Sequence, residues 1–282
     1  MAAKERKEVV LSIAGSDPSG GAGIQADLKT LAVLGVYGAA AVTCLTVQNT
    51  REVAAVTPVA PDLVREQIEL VLADLPVTHI KIGMIGTAPI AEAVGEALTG
   101  FAGEVIYDPV LRASAGADLI EPEALAAVRA GVIGRSTVIT PNLAELAALT
   151  GHIGTGPEEL QAAGRQLLSD FPGLRAVVIK GGHGPLQSGQ VTDYLLHRPA
   201  AGAPPVSLEA SRPWVETANS HGTGCTFASA YAAFHLLTGS DELAFTRAAA
   251  FVHRLLVASA GLRLGGGAGP LLHHQLRASE TF

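Results

Sequence analysis

Val9-Val10-Leu11-Ser12-Ile13-Ala14, then Gly15-Ser16-Asp17-Pro18-Ser19-Gly20-Gly21-Ala22-Gly23, then Ile24-Gln25-Ala26-Asp27-Leu28-Lys29-Thr30-Leu31 is the stretch from which the fold can be read. The first part is a mostly apolar run rich in β-branched residues, as in a buried strand. Ile24, Leu28, Leu31 and Val33/Leu34 then recur at helical spacing, and Gly35 stops the helix. The nine loop residues between them exceed a typical βα connection. Such a loop either lets helix and strand pack closely or forms the wall of a substrate site. It is neither a Walker A loop, which needs Gly-Lys-Ser/Thr, nor a GxGxxG fingerprint, so a dinucleotide-dependent oxidoreductase is set aside.

The pattern repeats outward from this unit. Strands are expected at 37–47, 79–82, 105–107, 137–140 and 176–179, with a short strand pair or edge at 51–57. Helices are expected at 61–72, 89–98, 122–129, 143–150 and 158–169, and, after residue 225, at 226–237 and 241–260. A hairpin is expected at 186–196, turning at 187–190, and 200–205 reads as a surface loop. Alternating strands and amphipathic helices imply a mostly parallel sheet covered on both faces. In such sheets ligands bind at the carboxyl ends of the strands. Asp17, Gln48, Met84, Asp108, Asn142 and Lys180 fall at those ends.

Composition narrows the function classes. A chain of 282 residues holds one large α/β domain or two small ones, and no linker divides it. It has no uninterrupted apolar run long enough to span a bilayer. Its N-terminal residues 1–8 are too charged for a signal sequence and are expected to be flexible. A cytoplasmic protein with no membrane partner is expected. The net charge of −7 argues against nucleic acid as a partner. An anionic substrate then needs local cations, which draws attention to Lys81 and Lys180. Cys44 and Cys225 make neither a disulfide framework nor a metal cluster.

The second informative stretch is Asn219-Ser220-His221-Gly222-Thr223-Gly224-Cys225-Thr226, ahead of an apolar helix. A small turn at a helix start presents unpaired N–H groups, which together with the helix dipole suit an anion. The plain alternative is a tight turn with a buried cysteine. Cys225 in the first helical turn is a candidate thiolate. Lys180, before two glycines, either meets a phosphate or is an exposed strand-end lysine. Asp108 either holds a metal or caps a turn. Asn142 and Glu145 either hold a hydrated Mg²⁺ or form a capping box. Gln48 either pairs with a heterocycle edge or caps its strand. His273-His274 reads as a solvated tail pair and not as a metal site.

Taken together, Ile13 to Thr30, Leu45-Thr46-Val47-Gln48-Asn49-Thr50, Ile80-Lys81-Ile82-Gly83-Met84, Asp108-Pro109-Val110, Thr140-Pro141-Asn142-Leu143-Ala144-Glu145, Val178-Ile179-Lys180-Gly181-Gly182-His183 and His221 to Thr226 resemble the ribokinase-like superfamily. Within it they are similar to the hydroxymethylpyrimidine and phosphomethylpyrimidine kinases of thiamine biosynthesis. The blocks stand in the family's order and cover nearly the whole chain. Gly269-Pro270-Leu271-Leu272-His273 looks like a worn form of a family tail. The resemblance implies a three-layer α/β/α sandwich over 1–282 with a central, mostly parallel sheet.

It also implies roles. Gly15, Ala22, Asp27, Gln48, Met84 and Val110 would bind the pyrimidine. Gly222, Thr223, Gly224 and Cys225 would form the anion hole, and Lys180, with Asn142, Gly222 and Gly224, would meet the nucleotide. Asp108, Asn142 and Glu145 would organise Mg²⁺ through water. ATP and Mg²⁺ would be the cofactors, and a homodimer the assembly. Many superfamily members carry an aspartate where Cys225 stands; this chain has the cysteine of the pyrimidine branch. Cys225 either accepts the hydroxyl proton or only shapes the pocket. The nearest rivals are a pyridoxal or pyridoxine kinase on the same fold and a non-catalytic ligand-binding module.

Overall fold

The computed structural model describes residues 8–111, 124–182, 189–200 and 202–276. Its elements, in chain order, are β1 Val9–Ser16, α1 Gly23–Val33, β2 Tyr37–Gln48, β3 Val53–Pro58, α2 Pro61–Asp74, β4 Val77–Ile82, α3 Ala88–Ala97 and β5 Glu104–Tyr107. There follow α4 Ala124–Ala127, β6 Val138–Ile139, α5 Leu143–Thr150, α6 Pro157–Asp170, β7 Ala176–Ile179, β8 Gln190–His197, β9 Val206–Pro213, α7 Thr223–Thr238 and α8 Asp241–Ser259. One nine-stranded sheet runs in the order β3-β2-β1-β4-β5-β6-β7-β8-β9. β2 through β7 pair in parallel; β3, β8 and β9 are antiparallel to their neighbours.

The central strands are buried on both faces, and the period-two alternation sorts their side chains between two cores. Leu11, Ile13, Tyr107, Ile139, Val177 and Ile179 turn to the face covered by α2, α3, α5 and α6. Val10, Ile106, Val138 and Val178 turn to the other, against α7 and α8. α7 is apolar around most of its girth, because α1 and α8 lie against it as well as the sheet. Phe234, Tyr231 and Phe245 are fully buried in this core, and side chains of that size contribute about 1.5–3 kcal/mol each on burial. This is the three-layer α/β/α sandwich with a mostly parallel sheet that the resemblance implied.

The structure corrects several local expectations. The hairpin lies later than expected: β8 pairs with β9, so the stretch read as a surface loop is its turn. Gly202, at φ +78°, sits in that turn. β9 was hidden because it is an edge strand, with only Leu208 and Ala210 packed against the core between exposed polar residues. Residues 187–188 of the expected turn lie outside the described residues, as do residues 1–7, His183 and the first residues of the helix expected at 122–129. Past α4 that helix continues as a wider π turn, Val128–Val132. Lys81, the next-to-last residue of β4, is fully buried between β1 and β5 and does not reach solvent. His273 is not solvated. It is buried, with Nε2 3.1 Å from both Thr30 Oγ1 and Thr226 Oγ1.

Candidate active site

A cavity of about 680 Å³ opens at the carboxyl ends of the parallel strands. The sheet order divides its wall. Gly15, Thr46, Gln48 and Met84 come from the β2-β1-β4 side; Asn142, Lys180, Asp193 and Arg212 come from the β6-to-β9 side. Asp108, Val110 and the start of α7 lie between.

α7 begins at Thr223, three residues earlier than the sequence suggested, so Cys225 falls within its first turn. The turn ahead of it is built by glycine. Gly222 has φ +82°, and a Cβ there would meet Gly21 O at 1.8 Å; no other residue type fits. A Cβ on Gly21 would lie 2.3 Å from His221 Cδ2. The two glycine loops therefore interlock, and Asp17 fastens them. Its carboxylate accepts from Ser19 N (2.8 Å), Gly21 N (3.1 Å) and Ala22 N (2.9 Å), and stands 2.8 Å from His221 Nε2. Burial alone would raise the Asp17 pKa, but these hydrogen bonds outweigh it and bring the carboxyl down to about 2. The Gln48 amide lies 3.2 Å from the same His221 nitrogen.

Across the cavity, Lys180 Nζ donates to Asp108 Oδ1 at 2.6 Å, and Thr140 Oγ1 donates to that oxygen at 3.2 Å. A Cβ on Gly224 would stand 3.2 Å from Lys180 Nζ and 3.5 Å from Asp108 Oδ2. The ammonium, the carboxylate and the first turn of α7 thus converge on one spot. Burial pushes the Lys180 pKa down, but Asp108 and Glu145 outweigh it and hold the ammonium charged. Burial lifts Glu145 to about 7, with Lys180 opposing and Asp108 assisting. Asn142 and Glu145 form a capping box at the start of α5: Glu145 N donates to Asn142 Oδ1 at 2.9 Å, and Asn142 N to Glu145 Oε2 at 2.7 Å.

That box spends one oxygen of each residue. Among the described residues no three His, Cys, Asp or Glu side chains are grouped to hold a metal ion. The remaining donor set, Asp108 and the second Glu145 oxygen, fits Mg²⁺ that is carried largely by phosphates and water. It does not fit an all-protein cage.

The expected site residues Gly15, Ala22, Gln48, Met84, Asp108, Val110, Asn142, Glu145, Lys180, Gly222, Thr223, Gly224 and Cys225 all line this cavity. Asp27 is a correction. It is fully buried beneath the cavity and bonds to Lys81, Ser12 and Ser229, so it presents nothing to a ligand. Cys225 departs from expectation in its chemistry. Burial pushes its thiol up to about 11, more than Lys81 draws it down, with Asp27 and Asp108 adding to the rise. The helix start does not make it a ready thiolate.

Sequence reasoning missed several wall residues. Trp214, Val252, His253 and Leu256 line the cavity beside Arg212. Arg212 donates to Asp193 Oδ2 at 2.6 Å, and Asp193 Oδ1 accepts from Gly181 N at 2.8 Å, bracing the turn after Lys180. An aspartate inside an apolar strand, and the chain's one tryptophan just after a strand, were the available signals.

A family model described as phosphomethylpyrimidine kinase matches residues 17–272. A hydroxymethylpyrimidine/phosphomethylpyrimidine kinase of Rhizobium meliloti is 41% identical over 94% of this chain and 96% of its own length. The crystal structure of phosphomethylpyrimidine kinase from Clostridium difficile superposes with a TM-score of 0.74 at 30% identity, covering 88% of this chain and 99% of that one. Pyridoxal kinase from Staphylococcus aureus in complex with ADP gives a TM-score of 0.80 at 29% identity, covering 95% of this chain and 94% of that one.

Proposed function

We propose, for a chain that belongs to the phosphomethylpyrimidine kinase family, that the cavity described above phosphorylates 4-amino-5-hydroxymethyl-2-methylpyrimidine twice, for thiamine biosynthesis. The observation that carries this reading is the convergence of Lys180, Asp108 and Gly224 at the start of α7. A binding module needs a pocket; it does not need a mostly buried ammonium beside a helix N-terminus.

In the first step the acceptor hydroxymethyl oxygen bonds to the γ-phosphorus of ATP. The bond from that phosphorus to the bridging oxygen breaks, and its electron pair leaves on ADP. The proton departs to solvent once the new bond has made the acceptor oxygen acidic. In the second step the acceptor is the monophosphate just formed, already ionised, and no proton moves. Both steps depend on positioning and charge stabilisation more than on a base.

Gln48 addresses the heterocycle edge, and Met84, Gly15, Ala22 and Val110 enclose it. The amides of Gly222 to Cys225 take the transferring oxygens. Lys180 meets the nucleotide phosphates, and Asn142 stands beside it. Arg212, Trp214, Val252 and Leu256 form the wall on the nucleotide side. Mg²⁺, when bound, neutralises phosphate charge; Asp108 and Glu145 are the residues that would hold it. Cys225 acts as a neutral thiol: at pH 7 a pKa of about 11 leaves roughly one thiolate in 10⁴.

Among the described residues no helix is long and apolar enough to cross a membrane, and the reading places the kinase in the cytoplasm, where ATP is supplied. A homodimer is supported by an apolar strip on the outer edge of the sheet. Leu45 and Val47 are 53% and 61% exposed, and β3 beside them is an edge strand. Steady-state ADP release, with the pyrimidine alcohol and its monophosphate supplied separately, tests the two-step reading. Turnover is expected with each; ADP release with neither overturns it.

A further inference from the structure

Directly beneath the anion hole lies a charged pair that the reaction as described does not use. Lys81 Nζ on β4 bonds Asp27 Oδ2 on α1 at 2.9 Å, and both side chains are 0% exposed. Asp27 also accepts from Ser12 Oγ on β1 at 2.6 Å and from Ser229 Oγ on α7 at 2.8 Å. Four elements are therefore tied at one point.

The pair has a direction. Ser229 is one turn further down α7 than Cys225, on the same face, so the carboxylate is anchored deep. The Lys81 ammonium instead lies 2.9 Å from the Cβ position of Gly83, toward the carboxyl end of β4 and the cavity. Its positive end thus faces the first turn of α7. Consistent with this, Lys81 acts on Cys225 more strongly than Asp27 does.

Stability gives little reason for such a pair. Desolvating two charges offsets most of their attraction, and apolar replacements of similar volume are commonly as stable. Under an anion hole the same charge has a use, because a fixed cation in a water-free site stabilises charge that develops there without reorganising.

We propose that Lys81, held by Asp27, is a positioning residue for phosphoryl transfer, its ammonium supporting from beneath the negative charge that builds at the first turn of α7. This rests on the assignment of that turn as the anion hole.

The test is the double variant Lys81→Met/Asp27→Asn. It removes both charges and leaves an amide for Ser12 and Ser229, whereas Lys81→Met alone strands a buried carboxylate. The expected result is a cooperatively folded protein with KM for ATP and for the pyrimidine little changed. Its kcat falls about 10- to 100-fold with both acceptors, the range for groups that support a reacting site from behind. Cys225 alkylation by iodoacetamide, read by peptide mass spectrometry, slows in parallel. A second variant, Ser229→Ala, keeps both charges and suits a helix; loosening the anchor lowers kcat there too, by a smaller factor. A kcat within about twofold of the parent in the folded double variant overturns the proposal. If the double variant does not fold, the same result in Ser229→Ala overturns it. Gly224→Ala, run beside them, separates the two layers. Full turnover in Gly224→Ala would remove the anion hole itself; its loss beside an active double variant would remove only the role of Lys81.

Discussion

Gly222→Ala and Gly224→Ala are neighbouring substitutions with opposite expected consequences, and together they probe how the anion hole is built. At Gly222 an added methyl meets backbone: Gly21 O would be 1.8 Å away, and φ is +82°. The loops must separate or the turn must change, and left-handed strain adds about 1–2 kcal/mol by itself. Gly222→Ala is expected to lose several kcal/mol of stability and to unfold well below the parent. At Gly224 the backbone is ordinary helix, and the nearest atoms to the new methyl are side-chain atoms, Lys180 Nζ at 3.2 Å and Asp108 Oδ2 at 3.5 Å. Alanine gains up to about 1 kcal/mol over glycine within a helix, so stability should hold or rise slightly. The methyl instead occupies the point where the transferring oxygens would approach Lys180. Losing one such interaction lowers kcat about 10²- to 10³-fold. Urea unfolding with a coupled ADP-release assay reads both quantities on each variant. A Gly224→Ala protein as active as the parent, or one as unstable as Gly222→Ala, would refute the reasoning.

Further expectations follow from the same geometry. Lys180→Met leaves Asp108 buried without its cation; the stability loss should be about 3 kcal/mol or more by chemical denaturation, with KM for ATP raised and kcat lowered. Because the Cys225 thiol stands at about 11, kcat should not rise tenfold per pH unit between pH 7 and 9, as resting-thiolate catalysis would require; such a rise in a stopped assay would restore Cys225 as base. Cys225→Ala should then slow the alcohol and monophosphate steps to similar extents, whereas a loss confined to the alcohol step would again indicate a base. His79, hydrogen-bonded to His235 at 3.0 Å, has its pKa lowered by burial and by His235 to about 4 from 6.5. A folded-state value below the unfolded one means the unfolded chain binds the extra proton first. Stability should therefore fall as pH drops from about 6.5 toward 4, by roughly 3 kcal/mol from this group, and His79→Gln should flatten that limb in pH-dependent urea titrations.

Much of this architecture was legible in the sequence because strand ends are chemically marked. Apolar strands stop at Asp17, Gln48, Asp108, Asn142 and Lys180, and strand-helix alternation is enough to gather those ends at one edge of a sheet. What escaped was set by tertiary neighbours. Asp27 has the loop-and-helix context of a ligand contact, but its direction on α1 turns it inward to Lys81. Cys225 sits at a helix start, which lowers a thiol pKa, yet burial outweighs that effect. His273 follows a glycine-rich tail, and only the packing of that tail over α1 and α7 places it between Thr30 and Thr226. β9 lacked a strand signal because an edge strand needs only alternate weak contacts. For Asn142 and Glu145 the sequence pattern suits both a capping box and a Mg²⁺ role; the box is present, and it leaves the second Glu145 oxygen for a hydrated ion.

The most direct measurement is mass spectrometry of the products formed from ATP, Mg²⁺ and 4-amino-5-hydroxymethyl-2-methylpyrimidine, with pyridoxal as a parallel acceptor. The account predicts the pyrimidine diphosphate, accumulating after the monophosphate. Phosphorylated pyridoxal beside an untouched pyrimidine, or no phosphorylated product from either acceptor, would contradict it.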